Sequence, residues 1–248
     1  MRMSRALGLA QEVQQSLLPR SDPSLPGFDI AGASIYCDET GGDYYDFIET
    51  YRDGQTGLAV VVGDVSGHGV SSALLMATAR ALIMLRASMP GDAAGIITDV
   101  NRHLSLDTAQ TGNFMTFFYC ELTESKTKIR WVRAGHDPAL VYNPSMDAFD
   151  ELKGQGVSLG FDHSIEYDSF QRTLEAGQII VIGTDGIWEM LNSTGEMFGK
   201  EALMEIIRNN HTASARQMVD TVTEALEQFR GDEVSEDDIT LVVIKVDP

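Results

Sequence analysis

The organising stretch of this chain, residues 58–85, reads LAVVVGDVSGHGVSSALLMATARALIML. Its first part, through Gly63, is apolar and β-branched, which is typical of a strand covered on both faces. The glycines in Ser66–Gly69 permit a sharp turn. Val70–Leu85 is rich in strong helix formers and apolar nearly all round. The stretch therefore predicts a strand that stops at Asp64, a tight loop and a buried helix.

The charge of Asp64 gives this stretch a functional interpretation. A carboxylate at the end of a buried strand, beneath a glycine loop, is costly unless another charge compensates it. A metal ion is the usual compensation. The alternative is that Asp64 only caps the following helix.

Composition limits the classes of function. With 248 residues and 43% hydrophobic content, the chain can form one large domain or two small ones. The 18 basic and 37 acidic residues give a net charge of −19, which argues against binding to nucleic acid or to an anionic membrane surface. Cys37 and Cys120 lack zinc-site spacing and indicate reduced core thiols in a cytoplasmic protein. No signal peptide is visible, and Arg80 and Arg86 interrupt the longest apolar run too early for a membrane span.

The N-terminal 26 residues are predicted to form a helix and a linker. Leu7, Val13 and Leu17 share an apolar stripe with Leu9 or Ala10, and polar residues, Gln14 among them, lie opposite. Pro19 ends the helix, and 21–27 is rich in proline and serine. Such a helix either packs back on the domain, which 27–248 forms, or serves as a dimerising or signalling helix.

The remaining chain alternates strands, turns and helices. Apolar alternation and turn residues predict strands at 28–37, 43–48, 114–122, 128–133, 139–142, 165–174, 178–183 and 239–246, with a hairpin loop at 51–56. Helical periodicity predicts helices at 91–107, 200–209 and 213–229, the last capped by Thr212 or Ser214.

Carboxylates recur at strand ends or glycine turns, at Asp43, Asp64, Asp185 and the pair Asp237–Asp238. Hard oxygen ligands without nearby His or Cys clusters suit Mg²⁺ or Mn²⁺, not zinc. Two such ions about 3.5–4 Å apart, sharing a carboxylate, can activate a bridging water for attack on phosphorus. Taken singly, Asp43 also fits a plain hairpin turn, and the acidic loop 231–238 also fits a solvated surface.

Covalent catalysis has no support in the sequence. Neither cysteine begins a Cys-x₅-Arg loop, and no Ser–His pairing stands out. His136, in the turn 134–138, is more typical of a structural role than of a catalytic one.

Several motifs together resemble the PPM (type 2C-like) metal-dependent protein serine/threonine phosphatases, and more narrowly their bacterial SpoIIE/RsbU branch. The resemblance covers residues 12 to 246, and the helix at 10–19 is similar to the helix that connects this branch to an upstream sensor. The motifs, in chain order, are GGDYYDF (41–47), GDVSGHG (63–69), FMTFFY (114–119), AGHDP (134–138), GTDGI (183–187) and DDITL (237–241).

The resemblance implies an α+β fold, a four-layer α-β-β-α sandwich of two mostly antiparallel sheets, with a dinuclear Mn²⁺/Mg²⁺ centre at one end. Asp64 would bridge both ions, and the backbone carbonyl of Val65 would be a further ligand. Asp43 would hold one ion directly or through water. Asp185 and Asp237 would hold the other ion; Asp237 is preferred to Asp238 because the family's ligand is the first residue of this pair.

The resemblance also implies a substrate and partners. The substrate would be phosphoserine or phosphothreonine on an anti-sigma-factor antagonist of the STAS type, within a partner-switching pathway. We expect a sensor or receiver domain upstream of this segment and a homodimer formed through the N-terminal helix. The expected location is the cytoplasm, either as a cytoplasmic protein or as the cytoplasmic output domain of a membrane-attached sensor. A shift in the packing of the helix after Asp64 should move Asp64 and alter metal occupancy. We expect the N-terminal helix to cause this shift.

Two features depart from the family's pattern. Eukaryotic relatives carry a histidine two residues after the bridging aspartate, where this chain has Ser66, and His68 lies two residues further on. His68 as general acid is therefore a hypothesis, which a loss below tenfold in His68→Ala would contradict; otherwise a metal-bound water protonates the leaving group. No phosphate-binding arginine can be assigned, since neither Arg52 nor Arg80 lies in a matching motif.

Two other functions deserve consideration. Gly41-Gly42-Asp43 superficially resembles the turn of diguanylate cyclases, but that fold gives no reason for the motifs at 63–69 and 183–187. A catalytically silent module with the same fold is the other alternative, and the intact acidic positions argue against it.

Overall fold

The computed structural model describes residues 2–52, 55–123 and 128–247. The helices in these ranges are α1 (Arg2–Gln15), α2 (Val70–Ala87), α3 (Ala93–Thr108), α4 (Gly199–Asn209) and α5 (Ala215–Arg230). The strands are β1 (Phe28–Ile35), β2 (Tyr44–Arg52), β3 (Gln55–Val65), β4 (Met115–Thr123), β5 (Lys128–Ala134), β6 (Ala139–Asn143), β7 (Ala148–Leu152), β8 (Phe170–Thr173), β9 (Ile179–Gly183) and β10 (Ile239–Val246).

The strands form two five-stranded antiparallel sheets. One sheet has the order β1-β10-β9-β6-β7, and the other has the order β2-β3-β4-β5-β8. The two sheets pack face to face, and each is covered on its outer face by two helices: α2 and α3 on the β3 sheet, α4 and α5 on the β10 sheet. The predicted α-β-β-α sandwich is confirmed.

Side-chain alternation along the strands explains the layers. On β3, Val60 and Val62 face the layer between the sheets, whereas Ala59 and Val61 face α2 and α3. Successive side chains of a strand point to opposite faces of the sheet. A strand covered on both sides therefore has the continuous apolar run seen here.

The organising stretch differs from its prediction in two details. Strand β3 continues to Val65, so Asp64 lies in the strand and not after it. Helix α2 is not fully buried, because only one of its faces meets strands and α3; Leu74 is 65% exposed and Leu85 58%. Among the described residues, α2 is the one helix long and apolar enough to cross a membrane by length and composition, but Ile83 and its neighbours on the inner face are buried in the core.

Smaller differences concern the middle of the chain. Strand β7 was missed, and the strand predicted at 165–174 is confined to Phe170–Thr173. Ser214, one of the two expected caps, begins α5 with a capping box. The predicted loop at 51–56 includes residues 53 and 54, which lie outside the described residues.

The N-terminal helix packs on the body with only part of its apolar stripe, since Leu7, Ala10 and Leu17 are half-buried. Leu9 and Val13 of the apolar stripe are 56% and 63% exposed, whereas Gln14 is buried. The linker packs on the body, since Leu25 is buried in the core between the sheets and Asp22 pairs with Arg216 of α5. Gln14 faces inward because its side-chain amide forms hydrogen bonds with the backbone of Gly41, in the turn before Asp43.

Candidate metal centre

The rows of side chains on β2 and β3 that face the layer between the sheets end in carboxylates at the same end of that layer. Asp64 continues the row of Val60 and Val62 on β3. Tyr44 of β2 pairs with Gly63 of β3, so Asp43, which precedes β2, lies beside the end of that row. Strand register therefore brings together two aspartates that are 21 positions apart in the sequence.

Asp43 is the most deeply buried of these carboxylates. Its side chain is 1% exposed, and its Oδ2 accepts a 2.8 Å hydrogen bond from the Thr184 hydroxyl, which follows β9 in the other sheet. Burial raises the pKa of Asp43 well above its ordinary value, and the charges of Asp64 and Asp238 raise it further. The Thr184 bond ties the two sheets together at the site.

Asp64 lies among other carboxylates. Burial raises its pKa to about 7, and the charges of Asp185, Asp237 and Asp238 add to the rise. The pKa values of Asp185 and Asp237 are also raised, because surrounding protein atoms partly desolvate both carboxyls and neighbouring carboxylates add to the rise. Like charges held together in a partly desolvated place oppose ionisation unless a cation joins them.

The two adjacent aspartates at 237 and 238 have different surroundings. Asp238 is buried, and its carboxylate accepts backbone N–H bonds from Cys37 (2.9 Å), Gly42 (2.7 Å) and Asp43 (3.4 Å). Asp237 is exposed, and its Oδ1 accepts the N–H of Asp238. Asp238 thus fixes the turn that carries Asp43, whereas Asp237 keeps a free oxygen.

Close backbone contacts explain two glycines of the motifs. A Cβ on Gly42 would lie 2.7 Å from the carbonyl oxygen of Val65, and one on Gly186 would overlap the carbonyl of Asp238. Only glycine allows these approaches. The Val65 carbonyl, the expected backbone ligand, therefore lies directly against the turn that precedes Asp43.

A cavity of about 230 Å³ opens beside these residues. Four carboxylates line it, those of Asp64, Asp137, Asp185 and Glu189. His136 also lines it; its Nδ1 lies 2.8 Å from the Thr116 hydroxyl, and burial lowers its pKa to about 4, so its ring is neutral. Its buried Nε2 lies beside the backbone of Gly183 without a well-formed hydrogen bond in the described residues.

His68, the hypothetical general acid, is on the exposed turn before α2. Its side chain is 74% exposed, and its Nδ1 lies 3.0 Å from Asp38. It is near enough to Asp237 to lower the pKa of that carboxyl, but it does not line the cavity. Arg80, one of the arginines without a matching motif, pairs instead with Asp46 of β2 at 3.2 Å.

The sequence assigned no functional role to three polar residues of this region, Thr184, His136 and Gln14. Thr184 stands inside the GTDGI motif, but its hydroxyl bond to Asp43 crosses between the sheets. His136 has an orphaned buried nitrogen at the cavity. Gln14 donates from its amide nitrogen to the Gly41 carbonyl (2.6 Å) and accepts from the Gly41 N–H (3.1 Å). The only signal for Gln14 was its place in the connecting-helix motif.

The donor set fits hard divalent cations. It consists of aspartate carboxylates and a backbone carbonyl, the oxygen ligands that Mg²⁺ and Mn²⁺ prefer. A cation placed among these carboxylates would favour their ionised forms and so offset the causes that raise their pKa values. In the described ranges, no three His, Cys, Asp or Glu side chains already converge around one point as ligands, so binding would draw the carboxylates together.

Comparisons with known proteins identify the family of this chain. The family model of Stage II sporulation protein E (SpoIIE) matches residues 54–247. Phosphoserine phosphatase RsbU of Bacillus subtilis is 26% identical over 237 residues, which are 96% of this chain and 69% of RsbU. Two other curated relatives are matched over 40% and 45% of their own lengths.

Solved structures share the fold. The SiaA-PP2C domain of Pseudomonas aeruginosa has a TM-score of 0.83 at 21% identity, with 99% of this chain and 98% of that domain covered. RsbX in complex with magnesium has a TM-score of 0.63 at 16% identity, with 91% and 98% covered. Likeness at these identities concerns the architecture alone.

Proposed function

This chain belongs to the SpoIIE family and is a protein serine/threonine phosphatase, and we propose that it hydrolyses phosphoserine or phosphothreonine with two Mn²⁺ or Mg²⁺ ions. The observation that supports the mechanism is the meeting of Asp43, Asp64, Asp185 and Asp237 at one end of the sandwich, each with a raised pKa. In a catalytically silent module these four carboxylates would repel one another without a metal ion to offset their charge.

The ligand roles we propose follow the environment of each group. Asp64 would hold both ions, since the charges of Asp185, Asp237 and Asp238 all act on it. Asp43 and the Val65 carbonyl would hold one ion, and Asp185 and Asp237 would hold the other. Asp238 is left out because backbone N–H groups occupy both of its oxygens. When bound, two such ions activate a water for attack on phosphorus and offset the charge of the transition state.

The chain's own groups position this chemistry. Thr184 holds the Asp43 carboxylate, and Asp238 holds the turn before it, so Asp43 enters the site in a fixed orientation. The neutral His136 offers its Nε2 to the cavity as a hydrogen-bonding group. Protonation of the leaving group by His68 stays a prediction, which the activity of His68→Ala tests.

The substrate and partners we propose are those of a partner-switching pathway. The phosphorylated protein is an anti-sigma-factor antagonist of the STAS type, and a sensor or receiver domain lies upstream in a cytoplasmic assembly. The exposed stripe of Leu9 and Val13 on α1 supports a homodimer through this helix. Residues 1–26 would then be the signalling segment and 27–248 the phosphatase domain.

Metal dependence is the first test of this function. We expect phosphate release from a phosphoserine peptide and from p-nitrophenyl phosphate to require added Mn²⁺ or Mg²⁺, to stop with EDTA and to return when Mn²⁺ is restored. A phosphotyrosine peptide of the same sequence is the matched control for residue preference. Activity that persists in EDTA after dialysis would contradict the two-metal mechanism.

Gln14 provides a second test, of regulation through α1. Gln14→Ala leaves both backbone polar groups of Gly41 without their partner, at a cost of about 1–3 kcal/mol for each buried group. Because Gly41 precedes the turn of Asp43, we expect the Mn²⁺ concentration for half-maximal activity to rise about tenfold, with activity at saturating Mn²⁺ retained. A Mn²⁺ titration measures this.

The control for Gln14 is Gln15→Ala. Gln15 is exposed on the same helix, so its removal tests helix propensity without the contact to Gly41. Equal Mn²⁺ requirements for Gln14→Ala and Gln15→Ala would show that α1 does not influence the metal centre through this contact.

A further inference from the structure

The cavity at the metal centre is too negative for a phosphate group, even with two divalent ions bound. Its four carboxylates, Asp64, Asp137, Asp185 and Glu189, carry about as much negative charge as two divalent ions carry positive charge. A phosphate monoester then brings up to two more negative charges into the same space. No lysine or arginine lines this cavity in the described part of the chain.

Lys200 is a basic side chain in contact with a residue of this cavity. It lies in the first turn of α4, and its Nζ is 3.1 Å from Oδ2 of Asp137 and 4.3 Å from the centre of the Trp188 ring. Among ion pairs of the described residues, this is the one that joins a basic side chain to a carboxylate of the cavity. The Lys200 ammonium is therefore at the edge of the cavity.

Two arginines, Arg80 and Arg133, are occupied elsewhere. Arg80 pairs with Asp46 on the outer face of the β2 sheet. Arg133 donates to the carbonyls of Gly154 and His136. Neither can turn toward the cavity without leaving buried groups unpaired, which is costly.

The contact between Lys200 and Asp137 is suited to exchange. The two side chains are 35% and 41% exposed, and a pair with this exposure contributes little to stability. Lysine also carries its charge on a flexible four-carbon stem. A dianionic group in the cavity can therefore compete with Asp137 for the ammonium.

We propose that Lys200 binds the phosphoryl oxygens of the substrate, and that Asp137 holds Lys200 at the cavity edge until the phosphate group arrives. The proposal rests on the proposed phosphatase function and assigns to a lysine the phosphate-binding role for which the sequence offered no arginine. Trp188 supports the ammonium from the other side, through the face of its ring.

Kinetics of the Mn²⁺-loaded protein test the lysine. We expect Lys200→Gln to raise the KM for p-nitrophenyl phosphate and the inhibition constant of inorganic phosphate, each by about tenfold, with kcat within about twofold. Lys200→Arg should retain most of the affinity, because the charge remains. Lys153→Gln is the matched control, since Lys153 is 76% exposed and pairs with Glu151, which does not line the cavity.

A double-mutant cycle tests the exchange with Asp137. Asp137→Asn should lower the KM, because it frees Lys200, and this decrease should vanish in the Lys200→Gln background. An equal decrease in both backgrounds would mean that Asp137 acts only through its charge in the cavity, and would overturn the exchange. An unchanged KM and phosphate inhibition constant in Lys200→Gln would overturn the binding role.

Phosphate binding gives a readout without turnover. When the ammonium leaves the Trp188 ring for phosphate, the tryptophan emission of the Mn²⁺-loaded protein should change, and Lys200→Gln should abolish that change. If wild type binds phosphate in this way but hydrolyses neither substrate, the proposed function fails while the role of Lys200 stands. If phosphate changes the emission equally in both proteins, the role of Lys200 fails.

Discussion

Asp64→Asn is expected to lower Mn²⁺-dependent phosphate release from p-nitrophenyl phosphate by at least about 1000-fold. Bound divalent ions supply several kcal/mol of charge stabilisation in the transition state, and each 1.36 kcal/mol is a factor of ten in rate. Asp64 is the carboxylate that lies among the charges of Asp185, Asp237 and Asp238. An amide in its place bridges two cations poorly, so ion affinity and activity fall together.

The same substitution should stabilise the metal-free fold. The pKa of Asp64 is raised in the folded protein to about 7, so above its unfolded pKa the ionised form opposes folding, and the penalty grows until the pH passes about 7. At pH 7.5 the neutral amide removes this penalty, which we place on the order of 1–3 kcal/mol. For a chain of this size each kcal/mol raises the Tm by about 2–4 °C.

Asp64→Asn is therefore expected to lower activity and to raise the stability of the metal-free protein. Differential scanning calorimetry in EDTA and phosphate release in Mn²⁺ measure the two effects on the same samples. Asp107→Asn, at an exposed position of α3, is the matched control and should change neither. Full activity in Asp64→Asn would refute the bridging role, and a lower Tm would refute the account of its pKa.

Asp238→Ala is expected to destabilise the protein by about 2–4 kcal/mol, because its carboxylate accepts N–H bonds from Cys37, Gly42 and Asp43. Hydrogen bonds to a charged group contribute about 1.5–3 kcal/mol, and buried donors left without an acceptor add their desolvation cost. Urea unfolding in EDTA measures the loss. Activity should fall as well, since the turn carrying Asp43 is no longer fixed.

Asp237→Ala is the matched comparison at the adjacent position. Asp237 is exposed and raises the pKa of Asp64 and Asp185, so its removal should leave stability unchanged or slightly higher. As a proposed ligand, it should still raise the Mn²⁺ requirement. If Asp237→Ala lost the greater stability and Asp238→Ala only the metal affinity, the roles of the two residues would have to be exchanged.

Much of the architecture could be predicted from local patterns. The run at 58–63, the alternation at 114–122 and the apolar closing strand at 239–246 all form strands where expected, because burial on both faces leaves a continuous apolar run. Strand β7 was missed because Ala148–Leu152 carries two acids in five residues at the edge of its sheet.

The orientation of helices was harder to predict than their existence. Helix α1 presents Gln14 inward and Val13 outward, against the rule that apolar stripes face the core. Two hydrogen bonds to Gly41 outweigh that rule here, and Gly41 is 27 positions away. Helix α2 is apolar nearly all round, so its sequence could not show which face the sheet would cover.

By itself, the sequence predicted the strands and helices from periodicity and the acidic positions from short motifs. The family and its sandwich fold followed from the resemblance of those motifs. The distinction between Asp237 and Asp238, the hold of Thr184 on Asp43 and the place of Lys200 beside Asp137 depend on the folded chain. These contacts join residues between one and 201 positions apart, and only the packing of two sheets and the register of their strands sets the distances between them. The sequence defines which groups each side chain carries, whereas the fold determines which other charges lie next to it.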